Sequence, residues 1–156
     1  MPTARRSRTI AAPASELWEL VGDPHHLPRW WPRVERVEDV NAGAFTEVMR
    51  TEKGRVVRAD FELLRRDEAG RTVSWSQRVA GTPFGRVLSA AETDVRLDEL
   101  DGGTDAQAPA AARTEVTIEL RQTLTGFFPR FGGFMVRRAT AAILEEALDG
   151  LERISA

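Results

Sequence analysis

The residue types best suited to acid–base chemistry are concentrated near the start of the chain. Both histidines and two of the four tryptophans lie within ten residues, in the stretch DPHHLPRWWP at positions 23–32. A histidine titrates near neutral pH, so His25 or His26, oriented by the carboxylate of Asp23, has the chemistry of a general acid–base catalyst. The pattern places no serine or other nucleophile nearby, which argues against a catalytic role.

The same stretch has the pattern of a structural corner. Asp23 followed by Pro24 is typical of an N-cap residue ahead of a proline at the first helical position, so the carboxylate already has a capping task. We predict a very short helix here, closed by one of the prolines that follow. Trp30 and Trp31 would then anchor the corner against the rest of the fold, and we favour this role over catalysis.

Composition excludes several kinds of site. The chain has no cysteine, which rules out disulfides, thiolate catalysis and cysteine-based metal sites. Two neighbouring histidines point in different directions and cannot supply the three or four convergent ligands of a metal site, so we expect no metal and no other cofactor. Lys and Arg total 22 against 24 Asp and Glu, without a long basic run, so we expect no nucleic-acid partner.

The length of 156 residues predicts one domain, residues 1–156, with a sizeable core. No segment approaches the roughly 20 apolar residues of a membrane span, and the arginines near the N-terminus are not followed by an apolar signal region. We therefore expect a cytoplasmic protein without a transmembrane segment. The sequence leaves the oligomeric state open.

The middle of the chain alternates with period two, the signal of half-buried strands. The clearest stretches are VVRADFELLRR at 56–66, TVSWSQRV at 72–79 and EVTIELRQTL at 115–124, separated by short turn-like segments. Together with a short first strand over Ser7–Ala12, they predict an antiparallel meander of about seven strands. A first helix from Pro13 to Val21 and the short corner helix follow strand 1.

The end of the chain changes to helical periodicity. From Phe131 to about Ile154 we predict one long amphipathic helix that covers the buried face of the sheet. Its predicted inward stripe consists of Val136, Ala139 or Thr140, Ile143, Ala147, Leu151 and Ile154.

Three segments carry a resemblance to a known superfamily: TIAAPASELWELVGDPHHLPRWWPRV at 9–34, GTPFG at 81–85, and the glycine-rich aromatic start of the last helix. The chain resembles the START/Bet v 1-like (SRPBCC) superfamily, and within it the bacterial polyketide cyclase/dehydrase and lipid-transport proteins. The resemblance implies an α+β helix-grip fold, in which a curved antiparallel sheet wraps around a long C-terminal helix after two short helices. It implies the fold far better than the chemistry.

The predicted inward positions of the sheet are partly small or polar, where a solid core would carry larger side chains. We therefore predict a cavity between the sheet and the C-terminal helix, with two glutamines as fixed polar contacts. Filling of this space by Met49, Phe61 and Trp75 stays open as the alternative. The predicted ligand-binding residues are Ala59, Phe61, Trp75, Gln77, Ser89, Ala91, Ile118, Leu120, Gln122, Phe128, Phe131, Ala139 and Ile143.

We predict that the cavity binds a hydrophobic small molecule such as a lipid, quinone or polyketide, for transport or sequestration. One alternative is a polyketide cyclase or dehydratase that uses the same cavity, for which ionisable groups should converge inside. Arg50, Arg86 and Glu92 fall on ambiguous or outward positions, so the sequence assigns no catalytic residue and does not decide whether the protein is an enzyme. A co-chaperone-like interaction module is the other alternative.

Overall fold

The computed structural model describes residues 2–51, 53–86, 88–100, 112–125 and 132–155. In this part of the chain there are seven strands and three α-helices. The strands are β1 (Thr3–Ile10), β2 (Val34–Glu38), β3 (Ala44–Arg50), β4 (Val56–Asp67), β5 (Thr72–Gln77), β6 (Leu88–Leu100) and β7 (Arg113–Leu124). The helices are α1 (Ala14–Val21), α2 (Leu27–Trp30) and α3 (Gly132–Ser155), with 3₁₀ turns over Pro24–His26 and Pro83–Arg86.

The strands form one antiparallel sheet in the order β1-β7-β6-β5-β4-β3-β2. The meander from β2 to β7 pairs consecutive strands, and β1 closes the order by pairing with β7. The predicted α+β helix-grip class and the predicted number of strands are confirmed. None of the helices in the described ranges is long and apolar enough to cross a bilayer.

The first strand begins earlier than predicted. It runs over Thr3–Ile10 rather than Ser7–Ala12, because β7 is long enough to pair with it from Arg121 to Thr114. An edge strand of this kind tolerates the exposed arginines at its start, whose side chains face water. Ala12 has already left the ladder, and its carbonyl accepts a hydrogen bond from the buried hydroxyl of Thr114, 2.8 Å away.

The predicted corner between the short helices is present. The Asp23 side chain caps the 3₁₀ turn by accepting a hydrogen bond from the backbone N–H of His25, 3.0 Å away. The 3₁₀ turn passes directly into α2, which accommodates Pro28 in its first turn, where the missing N–H costs no hydrogen bond. Trp30 is 2% exposed, and Trp31 packs edge-on against it.

The long helix α3 is continuous from Gly132 to Ser155, as predicted from about Phe131 to Ile154, although Phe131 itself is outside the described residues. It packs closely on α2 at Gly150. A methyl group at that position would lie 3.0 Å from the Trp30 Cα and nearer still to the Trp30 carbonyl oxygen. Glycine therefore sets how near the two helices approach.

The C-terminal half of α3 is fixed to the sheet by apolar packing and by ion pairs. The fully buried side chains of this half are Leu144, Ala147, Leu148 and Leu151. On β1, the half-buried guanidinium of Arg8 binds Glu145 at 2.7 Å and also contacts Asp149. The C-terminal half of α3 is therefore closely packed against the sheet and α2.

Candidate ligand-binding site

The face of the sheet that turns toward α3 brings most of the predicted binding residues together. Residues directly opposite each other on antiparallel strands project to the same face. Gln77 and Phe45 both lie opposite Phe61, while Ala91 lies opposite Gln122. We call this surface the concave face. The predicted residues that are buried or half-buried on it are Ala59, Phe61, Trp75, Gln77, Ala91, Ile118, Leu120 and Gln122.

Ser89 does not face the interior, contrary to prediction. A bulge between Leu88 and Ala90 adds one residue to β6 and reverses the alternation beyond it. Leu88 consequently takes the inward position, while Ser89 is exposed, and its hydroxyl lies 3.4 Å from the Thr123 carbonyl oxygen.

Ala139 and Ile143 are also exposed, so the predicted stripe of α3 is corrected. Arg8 holds Glu145 and Asp149, which lie on the other side of the stripe, and the helix is turned toward these contacts. The buried stripe is instead Thr140, Leu144, Ala147, Leu148 and Leu151. The two predicted residues at the start of the helix, Phe128 and Phe131, lie outside the described residues.

The two predicted glutamines both lie on the concave face, but their amides differ in hydrogen bonding. Gln122 accepts a hydrogen bond from the Thr140 hydroxyl of α3, 2.9 Å away. The side-chain nitrogen of Gln77 is buried and has no hydrogen-bond partner among the described residues. An unpaired buried donor costs about 1–3 kcal/mol, so this amide is available to an acceptor brought in from outside.

Glu47 is a functional candidate that sequence reasoning missed. It lies opposite Ala59 on the concave face and is 3% exposed. Burial raises the pKa of its carboxyl from 4.5 to about 8, because the charged form loses its hydration. No charged group or hydrogen bond among the described residues offsets that loss. Burial therefore favours the protonated, neutral form of this carboxyl.

The sequence did contain a signal for Glu47. In AFTEVMR, it occupies the inward position between Phe45 and Met49, where alternation calls for an apolar side chain. A charged residue on the apolar side of a strand identifies a candidate site only when it is known which alternate residues of the strand face inward, that is, the parity of the strand. The stacked pair Phe45 and Phe61, with ring centroids 5.2 Å apart, establishes that parity.

Apolar packing on the concave face is divided. The described residues form one large hydrophobic cluster and a second small one made of Val79, Leu88 and Ala91, with Phe84 packed against both. Gln77 lies on the chain between Trp75 of the large cluster and Val79 of the small one. Since most domains have one contiguous core, this polar interruption marks the place where the packing is not continuous.

A cavity of about 260 Å³ lies beside the aromatic residues of the concave face, under the corner that precedes α2. Phe45 and Trp75 form part of its wall, with their ring centroids 6.2 Å apart in an edge-on arrangement. The other apolar side chains around it are Val21, Leu27, Val40, Leu63 and Val73. Its volume is slightly below the usual range for a drug-sized ligand, so it suits a small apolar group.

The polar residues that line this cavity are Asp23 and His25 of the histidine stretch, together with Asn41 and Arg66. The His25 ring nitrogen Nδ1 is 2.8 Å from the Asp23 carboxylate, and the ring is 64% exposed. Partial burial acts to raise the pKa of Asp23, but hydrogen bonds from the His25 backbone and ring outweigh it and leave that pKa lowered. Within the described ranges there is no group of three potential metal ligands.

An antiparallel sheet that grips a long C-terminal helix and offers a mixed polar and apolar concave face defines the helix-grip class of proteins. A family model for polyketide cyclase / dehydrase and lipid transport matches residues 1–155. The chain belongs to this family, and the resemblance read from its sequence is confirmed. No curated protein matches the chain in a sequence search.

Solved structures share the fold at low sequence identity. A START superfamily protein from Mycobacterium smegmatis has a TM-score of 0.73 and 15% identity, with 98% of this chain and 96% of that chain covered. The aromatase/cyclase Zhui from Streptomyces sp. R1128 has a TM-score of 0.65 and 18% identity, with 97% of this chain and 88% of that chain covered. The di-domain ARO/CYC BexL from the BE-7585A biosynthetic pathway has a TM-score of 0.75 and 22% identity, with 98% of this chain and 46% of that chain covered.

Proposed function

We propose that this protein binds a hydrophobic small molecule on the concave face, between the sheet and the start of α3. The observation that carries the proposal is the buried amide nitrogen of Gln77 on the concave face, which has no hydrogen-bond partner among the described residues. A ligand that is mostly apolar but has one acceptor atom would bury its hydrocarbon there and offset the cost of the unpaired donor. The family description, which includes lipid transport, agrees with this function.

Small side chains support the same location. Ala59 and Ala91 are buried at 2% and 5% exposure on the concave face. The cavity beside Trp75 adds apolar volume at its edge. A ligand that buries about ten methylene-sized groups gains roughly 8 kcal/mol at about 0.8 kcal/mol each. After the costs of immobilising the ligand, we expect a dissociation constant near micromolar or weaker.

One observation favours a second function, that of a cyclase or dehydratase. Glu47 provides an ionisable group inside the fold, which an enzyme of this kind needs. A carboxyl that is still protonated at pH 7 can donate a proton to a carbonyl or hydroxyl oxygen of a bound substrate. An acid without a second ionisable group beside it in the described residues is a weaker basis than the unpaired amide, so binding remains the primary proposal.

Filling the proposed site tests binding. Ala59→Phe and Ala91→Leu should abolish binding of an environment-sensitive hydrophobic probe, while the free energy of unfolding changes little if the added side chain enters open space. In a solid core the same changes would cost roughly 1–3 kcal/mol. Ser89→Leu is the matched control, because this residue lies on the same strand as Ala91 but is exposed. Probe titration and thermal unfolding are measured on all three variants.

The outcome that contradicts the proposal is undiminished probe binding in filled variants that remain folded. Native mass spectrometry of the purified protein gives an independent measurement, since a co-purifying lipid or quinone would be retained in the gas phase. Loss of that mass in the Ala91→Leu variant, but not in Ser89→Leu, would assign the ligand to the concave face.

A further inference from the structure

Another cavity, of about 430 Å³, lies between β1 and the first half of α3. Four arginines line it, two on each element: Arg5 and Arg6 of β1, and Arg137 and Arg138 of α3. Phe134, which is 59% exposed, belongs to the apolar part of its wall. We call these five residues the basic groove. None of the residues assigned to the concave face lines it, so the two surfaces are separate.

The positive charge of the basic groove is largely unneutralised. Among the described residues, Glu145 is the one acid that lines the groove, and its carboxylate binds Arg8 at 2.7 Å and Arg6 at 3.4 Å. The other three arginines of the groove have no ion pair within the described part of the chain. The stretch 132–143 contains no Asp or Glu, so this half of α3 supplies no acid to them.

The neighbouring strand β7 does not neutralise the groove either. Glu119 lies opposite Arg5 on that strand, but its carboxylate binds Arg121 at 2.9 Å. The formal net charge of the whole chain is -2, so the groove is a local positive patch on a slightly acidic protein. A partner that this patch attracts must itself carry a high density of negative charge.

Large apolar side chains are exposed beside these arginines. Phe134 and its neighbour Met135 are 59% and 66% exposed, the two highest values among the large hydrophobic residues of the described chain. Arg138 follows Phe134 by one helical turn, and both line the groove. Exposed apolar side chains next to basic ones are typical of a helix that lies at the boundary between water and lipid. A guanidinium group binds phosphate oxygens there through paired N–H donors.

We propose that the basic groove binds the surface of an anionic phospholipid bilayer. Its arginines contact lipid phosphates, while Phe134 and Met135 enter the layer below the headgroups. A soluble anion would satisfy the arginines but leave both apolar side chains in water, whereas a bilayer takes up both. This inference goes beyond the proposed function and does not require a ligand on the concave face.

Co-sedimentation with vesicles tests the inference. One set of vesicles is pure phosphatidylcholine, and the other is an equal mixture of phosphatidylcholine and phosphatidylglycerol. A basic residue near an anionic surface contributes a factor of roughly 5 in affinity, so three unpaired arginines predict a preference of roughly 100-fold for the anionic vesicles. The preference should decrease as salt is added, because salt screens the attraction.

A double variant assigns the electrostatic part to the groove. Arg137→Gln/Arg138→Gln should lower the affinity for anionic vesicles by roughly 25-fold, the product of two such factors. Arg58→Gln/Arg78→Gln is the matched control, because it removes the same charge at two exposed arginines outside the groove. The control should retain most of the affinity of the wild type.

A second pair of variants tests the apolar part. Phe134→Ser should lower the affinity for anionic vesicles by about 10-fold or more, since the ring no longer leaves water on binding. Leu64→Ser is the control, because Leu64 is 52% exposed and lies outside the groove, on β4. Thermal unfolding verifies that all variants are folded.

Several outcomes would overturn the inference. Equal affinity for the two kinds of vesicle, or no affinity for either, would refute the attraction to an anionic surface. Release from the vesicles by soluble glycerol 3-phosphate would identify a soluble phosphate as the ligand. Undiminished binding by Arg137→Gln/Arg138→Gln would place the contact elsewhere on the protein. The hydrophobic probe of the concave face should bind this double variant as it binds the wild type, so failure of the proposed function is measured separately.

Discussion

Replacing Glu47 with glutamine should change how the stability of the protein depends on pH. The folded protein holds the Glu47 proton up to a pKa of about 8, whereas the unfolded chain releases it near 4.5. Between these values the folded state binds one proton more than the unfolded state, so the free energy of unfolding falls as the pH rises. The wild type loses about 1.4 kcal/mol per pH unit in this window, about 5 kcal/mol in total.

Glutamine has nearly the shape of the neutral acid and does not titrate, so Glu47→Gln should remove this loss. The free energy of unfolding of the variant should be within about 1 kcal/mol of that of the wild type at pH 5, and about 5 kcal/mol higher than that of the wild type at pH 9. Urea unfolding at several pH values gives the free energy of unfolding of both proteins. The difference between the two, plotted against pH, reports Glu47 alone, because the titration of all other groups cancels. Glu62→Gln, which makes the same replacement at an exposed position of β4, is the control. A difference that stays constant from pH 5 to pH 9 would refute the reasoning, because it would mean that the Glu47 carboxyl reaches water.

Four further variants test the corner near the N-terminus and its contact with α3. Trp30→Ala should lower the free energy of unfolding in urea by about 3–5 kcal/mol, because Trp30 is buried. Trp31→Ala should lower it by less, because Trp31 is only half-buried. Equal small losses in the two variants would contradict the burial assigned to Trp30. Gly150→Ala should lower the melting temperature because its methyl group would press on the Trp30 backbone, although helix propensity alone would raise stability by about 1 kcal/mol. The double variant His25→Ala/His26→Ala should stay within about 0.5 kcal/mol of the wild type and keep its probe affinity; loss of probe binding with the fold intact would give the histidines a functional role.

Most of the fold was predictable because its elements have strong periodicity. Alternation in β4, β5 and β7 identified both the strands and their inward sides, and the length of α3 followed from its helical pattern. Parity also placed Gln77 and Gln122 correctly on the concave face. These predictions depend only on local pattern, since a strand without irregularities keeps its alternation from end to end.

The errors arose where tertiary structure changes the local pattern. The bulge in β6 leaves no clear mark in the sequence, so Ser89 was assigned to the wrong side. The orientation of α3 goes together with ion pairs between Arg8 and residues more than 130 positions away, which no local pattern contains. Glu47 was missed because a charged residue is ordinarily counted as outward-facing, and only the paired neighbours of β3 show that it is buried.

The anchorage of α3 has a consequence for how the molecule opens. Its second half carries the buried leucines and the Arg8 ion pairs, whereas in its first half Phe134 and Met135 are 59% and 66% exposed. Thr140 is the first buried residue of the described helix, and its hydroxyl donates a hydrogen bond to Gln122 of the sheet. Local unfolding requires less free energy where fewer buried contacts are lost. Amide protons of α3 should therefore exchange with solvent quickly before Thr140 and slowly after Leu144. Although the helix is unbroken, its first half should open at a lower free energy than its second half, and the first half is the end that faces the proposed ligand.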